Sequence, residues 1–199
     1  MKTFLTSCLT LAAFAAVALA APEVGQPAPE FTLTDSTGTA HRLSDFKGKT
    51  VVLEWLNHGC PFVRKQYDSG NMQKLQKKYT GEGVVWLSIV SSASGKQGHM
   101  TADDTNKTKA EKGAAPSAIL LDEDGTVGQL YAAKVTPELF IIDPKGTLVY
   151  AGGIDDKKST DPADIVTSKN YVAAALDELL AGKPVSMAKT EAYGCSVKY

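Results

Sequence analysis

Residues 50–68 leave this chain few folds to adopt. Residues 50–55 read Thr-Val-Val-Leu-Glu-Trp, a β-branched and aromatic run that is typical of a strand buried on both faces. Cys60 and Pro61 follow after a short loop, and the residues after them have helical spacing. Proline is well suited to the first position of a helix, so the pair marks a helix start. A buried strand that passes directly into a helix is the basic unit of an α/β fold.

The rest of the chain repeats this alternation of strands and helices. Strands that alternate with helices predict a parallel core, and a closing hairpin adds an antiparallel edge. The predicted elements outside this first unit are a hairpin at 30–43, strands at 84–90 and 117–121, helices at 101–112, 126–133 and 168–180, and a hairpin at 138–152.

The N-terminal segment has the pattern of a secretory leader. Lys2 supplies a positive charge, and residues 4–20 form a short, alanine-rich apolar run. Small residues at Ala18 and Ala20 fit the cleavage pocket of a signal peptidase. A membrane anchor is the alternative, but the run lies at the lower length limit for crossing a bilayer. We therefore predict an exported protein, periplasmic or extracellular, without stable membrane association once the leader is removed.

The predicted domain organisation is a signal peptide at 1–20 and a single domain at 21–199, which includes a C-terminal tail at 183–199. About 178 residues are enough to bury a core without disulfide support. The chain has 21 basic and 22 acidic residues, so its charge balance gives no reason to expect a nucleic-acid partner.

The cysteines are few and widely separated. Cys8 lies in the predicted leader, so the mature chain keeps Cys60 and Cys195. An exported protein of this length with two cysteines is not a disulfide-rich scaffold. The two residues form either one structural bridge or a redox couple.

Cys60 stands where a reactive thiol is expected. The first turn of a helix presents free backbone N–H groups and the positive end of the helix dipole, and both favour the nucleophilic thiolate. Arg64 and Lys65 add positive charge in the next turn, and His58 is expected to do the same. The alternative is that Cys60 is a small buried residue without chemistry.

Several motifs resemble one known group of proteins. Residues 57–63 read Asn-His-Gly-Cys-Pro-Phe-Val, and residues 135–143 read Val-Thr-Pro-Glu-Leu-Phe-Ile-Ile-Asp. These motifs resemble the peroxiredoxin-like branch of the thioredoxin superfamily, also described as redoxin or thiol-specific-antioxidant-like proteins. The resemblance covers nearly everything after the leader, including the motifs at 150–156, 170–185 and 194–198.

The resemblance implies a fold and two site residues. The fold is α/β and thioredoxin-like, with a central mixed sheet flanked by helices, an N-terminal β-hairpin and a C-terminal extension. Cys60 aligns with the first active-site cysteine of thioredoxins. Pro137, which on its residues alone fits an ordinary trans turn, is implied to be the cis-proline that presents the backbone of Thr136 to a neighbouring thiol.

The chain also departs from the patterns of its relatives. Thioredoxins carry a second cysteine three residues after the first, where this chain has Val63. Typical peroxiredoxins carry a proline seven residues before, and a threonine or serine three residues before, the reactive cysteine. Leu53 and Asn57 occupy those positions here, and the Asn57 amide is the remaining donor that could orient a peroxide.

We therefore predict an oxidoreductase that uses Cys60 as nucleophile and either reduces peroxides or exchanges disulfides. Cys195 is the candidate resolving cysteine if the tail folds back to Cys60; otherwise it is structural. Arg64 is assigned to thiolate stabilisation. The expected partners are a peroxide or protein disulfide substrate and a thiol reductant.

A redox-silent binding module is the alternative from another functional class. His58, His99 and Cys60 offer ligands to a soft metal ion, which would make the protein a metal carrier. The single cysteine at the helix start argues against this set. No metal site and no cofactor are therefore expected.

Overall fold

The computed structural model describes residues 21–199, so the predicted leader at 1–20 lies outside the described residues. A seven-stranded sheet forms the centre of the fold, in the order β2-β1-β5-β4-β3-β7-β8. Strands β3, β4 and β5 are parallel, and the pairs at both edges are antiparallel. The strands are β1 (Thr32–Asp35), β2 (Ala40–Arg42), β3 (Val51–Trp55), β4 (Val85–Val90), β5 (Ala118–Leu121), β6 (Val135–Thr136), β7 (Glu138–Ile142), β8 (Leu148–Gly152) and β9 (Cys195–Ser196).

Helices cover the two faces of this sheet. Gly70, with φ of 76°, separates the first two helices, because a left-handed residue ends one helical path and redirects the chain into the next. The predicted α/β class, with a mixed sheet between helices, is confirmed. The helices are α1 (Pro61–Asp68), α2 (Asn71–Gly81), α3 (Ala102–Lys112), α4 (Thr126–Leu130) and α5 (Tyr171–Leu180).

Alternate residues of β3 point to two separate apolar layers. Val52 packs into a layer that contains buried residues of α1, α2 and α5. Leu53 and Trp55 pack into the opposite layer, where Trp55 lies against the rings of Tyr131 and Phe140 at centroid distances of 5.5 and 5.2 Å. Because both faces are covered, β3 is held rigidly up to the loop that leads to Cys60.

The one acidic residue of β3 is buried under α1 and α2. Burial raises the pKa of Glu54, and hydrogen bonds from Trp86, Tyr67, Ser88 and Gln76 oppose that shift. These four donors reach the carboxylate at distances from 2.7 to 3.1 Å. The network ties β3 to β4 and to both helices, and so holds the start of α1 against the sheet.

The C-terminal tail folds back over the domain. Beside β8, the N–H of Ala151 donates to the carbonyl of Ala188 at 3.1 Å, and the N–H of Thr190 donates to the carbonyl of Ala151 at 3.2 Å. Strand β9, near the end of the tail, then pairs antiparallel with β6 in a separate two-stranded ribbon. These bonds carry the tail from the sheet edge to the start of α1.

No helix between residues 21 and 199 combines the length and apolar character that a bilayer crossing requires.

Candidate active site

Cys60 is the N-cap residue of α1. Its backbone is extended, and its carbonyl accepts the first helical hydrogen bond from the N–H of Arg64 at 2.9 Å. Pro61 occupies the first helical position, as predicted. The Cys60 side chain is fully buried, 0% exposed, against the apolar layer that contains Val63. The residue therefore combines a helix start with exclusion of water.

The segment that carries Pro137 lies directly beside this sulfur. The Thr136–Pro137 peptide bond is cis, which is the form that the family resemblance implied. As a thiol, Cys60 Sγ donates to the carbonyl oxygen of Thr136 at 3.1 Å. The short strand β6 thus presents backbone groups to the thiol.

Cys195 reaches the same place from the tail. In the β6–β9 ribbon it lies opposite Thr136, and its backbone N–H points to Cys60 Sγ at 3.4 Å. Both cysteines are free thiols. The structure therefore brings together two cysteines that are 135 positions apart in the sequence.

Gly194 makes this close approach possible. Its φ is 151°, which L side chains rarely adopt, and a Cβ built on it would overlap the carbonyl oxygen of Thr136. Any larger residue would push the tail away from β6, and with it the thiol of Cys195.

The two thiols are electrostatically unequal. Burial alone would raise the pKa of Cys60, but the Cys195 thiol and the backbone N–H groups of Val63 and Cys195 donate to its sulfur, and the net effect is a lowered pKa. Burial, together with the hydrogen bond to Cys60, raises the pKa of Cys195 to about 11. Cys60 is therefore the member of the pair that ionises first as the pH rises, and Cys195 is the donor.

The donor role of Cys195 gives a testable pH effect. In Cys195→Ala the thiol donor is gone, so we expect the pKa of Cys60 to rise, with its ultraviolet thiolate absorbance appearing at higher pH than in the wild type. Cys195→Ser is the matched control, because its hydroxyl still donates to Cys60. Equal Cys60 titration curves for the alanine variant and the wild type would contradict the assignment.

A buried polar hub holds the tail beside α1. Asp155 accepts hydrogen bonds from the hydroxyl of Tyr193 and from Gln66 Nε2, the latter at 2.8 Å. The ring of Tyr193 also packs edge-on against Phe62 with 5.7 Å between centroids. Tyr193, two residues before Cys195, therefore anchors the tail to the first helix.

Lys65 belongs to this hub rather than to the thiol. Its side chain is buried, and its Nζ donates to the carbonyl of Lys157 at 2.9 Å and lies 3.7 Å from Asp155. The expectation that Lys65 adds positive charge at Cys60 is therefore wrong. Arg64 is exposed, and its positive charge opposes the rise in the pKa of Cys195.

His58 and Asn57, which lie shortly before Cys60, are both held by local contacts. Burial lowers the pKa of His58 to about 4, so its imidazole is neutral near pH 7 and adds no positive charge. The amide of Asn57 is used in loop contacts: Nδ2 donates to the carbonyl of Gln97 at 3.2 Å, and Oδ1 accepts from the N–H of Gly59 at 2.8 Å. Asn57 therefore shapes the turn before Cys60 through one amide N–H and its amide oxygen.

The residues considered as metal ligands do not converge. His99 lies 3.3 Å from the carboxylate of Glu123, in a different loop from His58. Within residues 21–199, no group of three or more His, Cys, Asp or Glu side chains is arranged to hold a metal ion.

Sequence reasoning missed the residues that dock the tail. Tyr193 and Asp155 lie far apart in the sequence, and neither belongs to a periodic pattern. The one available signal was Gly194 directly before Cys195, because a glycine beside a functional residue often marks a close backbone approach.

Comparison with known proteins adds family context to this geometry. The AhpC/TSA family pattern matches residues 24–151. The thioredoxin-like protein YneN of Bacillus subtilis is 30% identical over 145 residues, which cover 71% of this chain and 79% of YneN. The thiol-disulfide oxidoreductase ResA of Geobacillus kaustophilus is 30% identical over 126 residues, which cover 58% of this chain and 72% of ResA.

A solved structure extends the similarity beyond the family match. An uncharacterized conserved protein from Geobacillus kaustophilus superposes with a TM-score of 0.78 and 30% identity, covering 89% of this chain and 92% of its own. The family match ends at residue 151, so Cys195 lies in an extension outside it.

Proposed function

The chain belongs to the AhpC/TSA family, and from this membership we propose that it is a thiol–disulfide oxidoreductase whose redox couple is Cys60 and Cys195. The observation that carries the proposal is the contact between the two residues, with the Cys195 N–H at 3.4 Å from Cys60 Sγ. The name of the ResA relative supports the same reaction class.

In this proposal the two cysteines take successive steps of the reaction. The Cys60 thiolate attacks one sulfur of a substrate disulfide, and the electron pair of the broken S–S bond leaves on the other substrate sulfur, which takes a proton from water. Cys195 then loses its proton and attacks Cys60 Sγ in the mixed disulfide, which expels the second substrate thiol. The substrate gains two electrons and two protons, and the protein keeps a Cys60–Cys195 disulfide.

In this proposal the tail supplies the group that thioredoxins carry in the helix. Val63 occupies the position of their second cysteine, and it is fully buried. Cys195 approaches Cys60 from β9 instead, on the side of the cis-proline segment. A disulfide requires Cα atoms within about 7 Å, which a direct contact between the two residues favours.

Peroxide reduction is the weaker candidate. The position three residues before Cys60 lacks a hydroxyl, and the amide of Asn57 at that position is engaged with Gln97 and Gly59. We further propose, from the leader pattern at 1–20, that the protein acts outside the cytoplasm and is reduced there by a partner thiol.

Equilibration in glutathione redox buffers tests the proposed function. As the buffer becomes oxidising, we expect both thiols to become resistant to alkylation together, and mass spectrometry of peptides to show a Cys60–Cys195 link. In Cys195→Ser, Cys60 should instead carry glutathione. The proposal fails if both wild-type thiols stay alkylatable in a buffer that fully oxidises a structural dithiol of known potential.

A further inference from the structure

We propose that the reductant opens the Cys60–Cys195 disulfide by attacking the sulfur of Cys195, so that Cys60 is the leaving group. This inference rests on the proposed function. It gives Cys195 a second role, because the residue that resolves the mixed disulfide with substrate is also the point at which electrons enter the protein.

Access to the two residues differs. Cys60 is 0% exposed, and its side chain packs in the apolar layer between the helices and the sheet. The buried residue Tyr193 and the close contact of Gly194 with Thr136 hold the tail over it. Cys195 is only partly buried, with its side chain packed against the same apolar layer. An incoming thiol is therefore less hindered at Cys195 than at Cys60, which is fully buried.

Charge around Cys195 favours the same site of attack. Arg64 lies on the first turn of α1, and Lys198 follows two residues after Ser196, with its Nζ donating to the Ser196 hydroxyl at 2.9 Å. Burial and hydrogen bonding raise the pKa of Cys195, and the positive charges of Lys198 and Arg64 partly offset that rise. Both cations therefore act on its sulfur. The attacking group is a thiolate, and nearby cations raise its local concentration.

The leaving-group chemistry agrees with this direction of attack. Thiol–disulfide exchange is faster when the departing thiol has the lower pKa. Attack on Cys195 sends the electron pair of the S–S bond to Cys60, whose thiolate is stabilised at the start of α1. Attack on Cys60 would instead expel the thiolate of Cys195, whose pKa is raised to about 11.

The bonds and protons balance over two steps. The reductant thiolate forms a bond to Cys195 Sγ as the Cys60–Cys195 bond breaks, and Cys60 becomes a thiolate. A second thiol of the reductant then displaces Cys195 from the mixed disulfide. Cys195 takes up a proton, and the reductant leaves as a disulfide, having given up two electrons.

Mapping of the mixed disulfide tests this order. The protein is first oxidised and its Cys60–Cys195 link is verified by peptide mass spectrometry. It is then mixed with reduced glutathione, quenched rapidly with acid and alkylated with N-ethylmaleimide. We expect glutathione on Cys195 and N-ethylmaleimide on Cys60, in about tenfold excess over the reverse pattern.

The failures of the two proposals are distinguishable in this experiment. Absence of the disulfide before glutathione is added would overturn the proposed function and this inference with it. Glutathione found mainly on Cys60, or equally on both residues, would overturn the inference alone, because the disulfide itself would have been demonstrated.

A charge variant gives a second measurement. In Arg64→Gln the reduction of the disulfide by glutathione should slow by roughly twofold to fivefold at low salt, and the difference should shrink as salt is added. Lys77→Gln is the matched control, since Lys77 is exposed on α2, which follows α1 in the chain. Equal rates in Arg64→Gln and Lys77→Gln would contradict the electrostatic part of the argument.

Discussion

Replacing Cys60 with serine is expected to reduce disulfide exchange by about a thousandfold or more, to the rate of the uncatalysed reaction. The serine hydroxyl fits the same buried position at the start of α1, but it does not ionise near neutral pH and has no sulfur with which to form a mixed disulfide. The decisive measurement is turnover of a protein disulfide such as insulin with a continuous supply of thiol reductant.

Cys195→Ser is the informative companion to this variant. It keeps the Cys60 nucleophile and the docked tail but lacks the resolving thiol, so we expect one rapid attack for each protein molecule and then arrest as a mixed disulfide. Cys60→Ser should show neither the burst nor the adduct. Substantial turnover by Cys60→Ser would place the chemistry at another residue and remove the proposed function.

The part of the site that depends on local pattern could be predicted from the sequence. The apolar run of β3 and the Cys60-Pro61 pair identify a strand, a turn and a helix start, because each follows from local backbone preferences. These preferences do not depend on distant residues, and the structure reproduces the elements within a few positions. The division of the predicted helix after Cys60 into α1 and α2 likewise follows from Gly70.

The charges around the thiol could not be predicted from proximity in the sequence. Lys65 follows Cys60 by five residues, and at about 100° per residue it projects from a different side of α1. There it meets Asp155, which the loop after β8 brings into the interior. His58 is adjacent to the site but is half-buried against the ring of Tyr67, 4.8 Å away between centroids, and this desolvation lowers its pKa to about 4, which keeps it neutral near pH 7. Only tertiary packing determines both outcomes.

The docking of the tail could not be predicted from local sequence patterns, for a related reason. It depends on single contacts between distant positions, such as Tyr193 with Asp155 and the ribbon of β6 with β9. Short, irregular segments of this kind carry no hydrophobic period from which to infer their place. Since only two cysteines remain after the predicted leader, the sequence could name Cys195 as the candidate partner of Cys60, but it could not show the contacts that bring the tail there.

Replacing Gly194 with alanine is expected to weaken the Cys60–Cys195 disulfide by roughly tenfold to a hundredfold in its equilibrium constant against glutathione. The new Cβ would overlap the carbonyl oxygen of Thr136, and φ of 151° is unfavourable for alanine. Relief of both strains moves the tail away from β6, which lowers the effective concentration of the Cys195 thiol beside Cys60. The same movement uncovers Cys60, so its alkylation by iodoacetamide should become faster.

Gly182→Ala separates these effects from backbone strain alone. Gly182 also has a positive φ, 71°, but a Cβ there would meet no atom within 4 Å. It lies between α5 and the tail, so its substitution imposes the cost of a positive φ without a clash at the site. A weakened disulfide and faster Cys60 alkylation in Gly194→Ala, with wild-type values in Gly182→Ala, would tie the redox couple to the seating of the tail on β6. Equal values in the two variants would mean that Cys195 reaches Cys60 without that contact, and the tail would then be a flexible tether rather than a fixed part of the site.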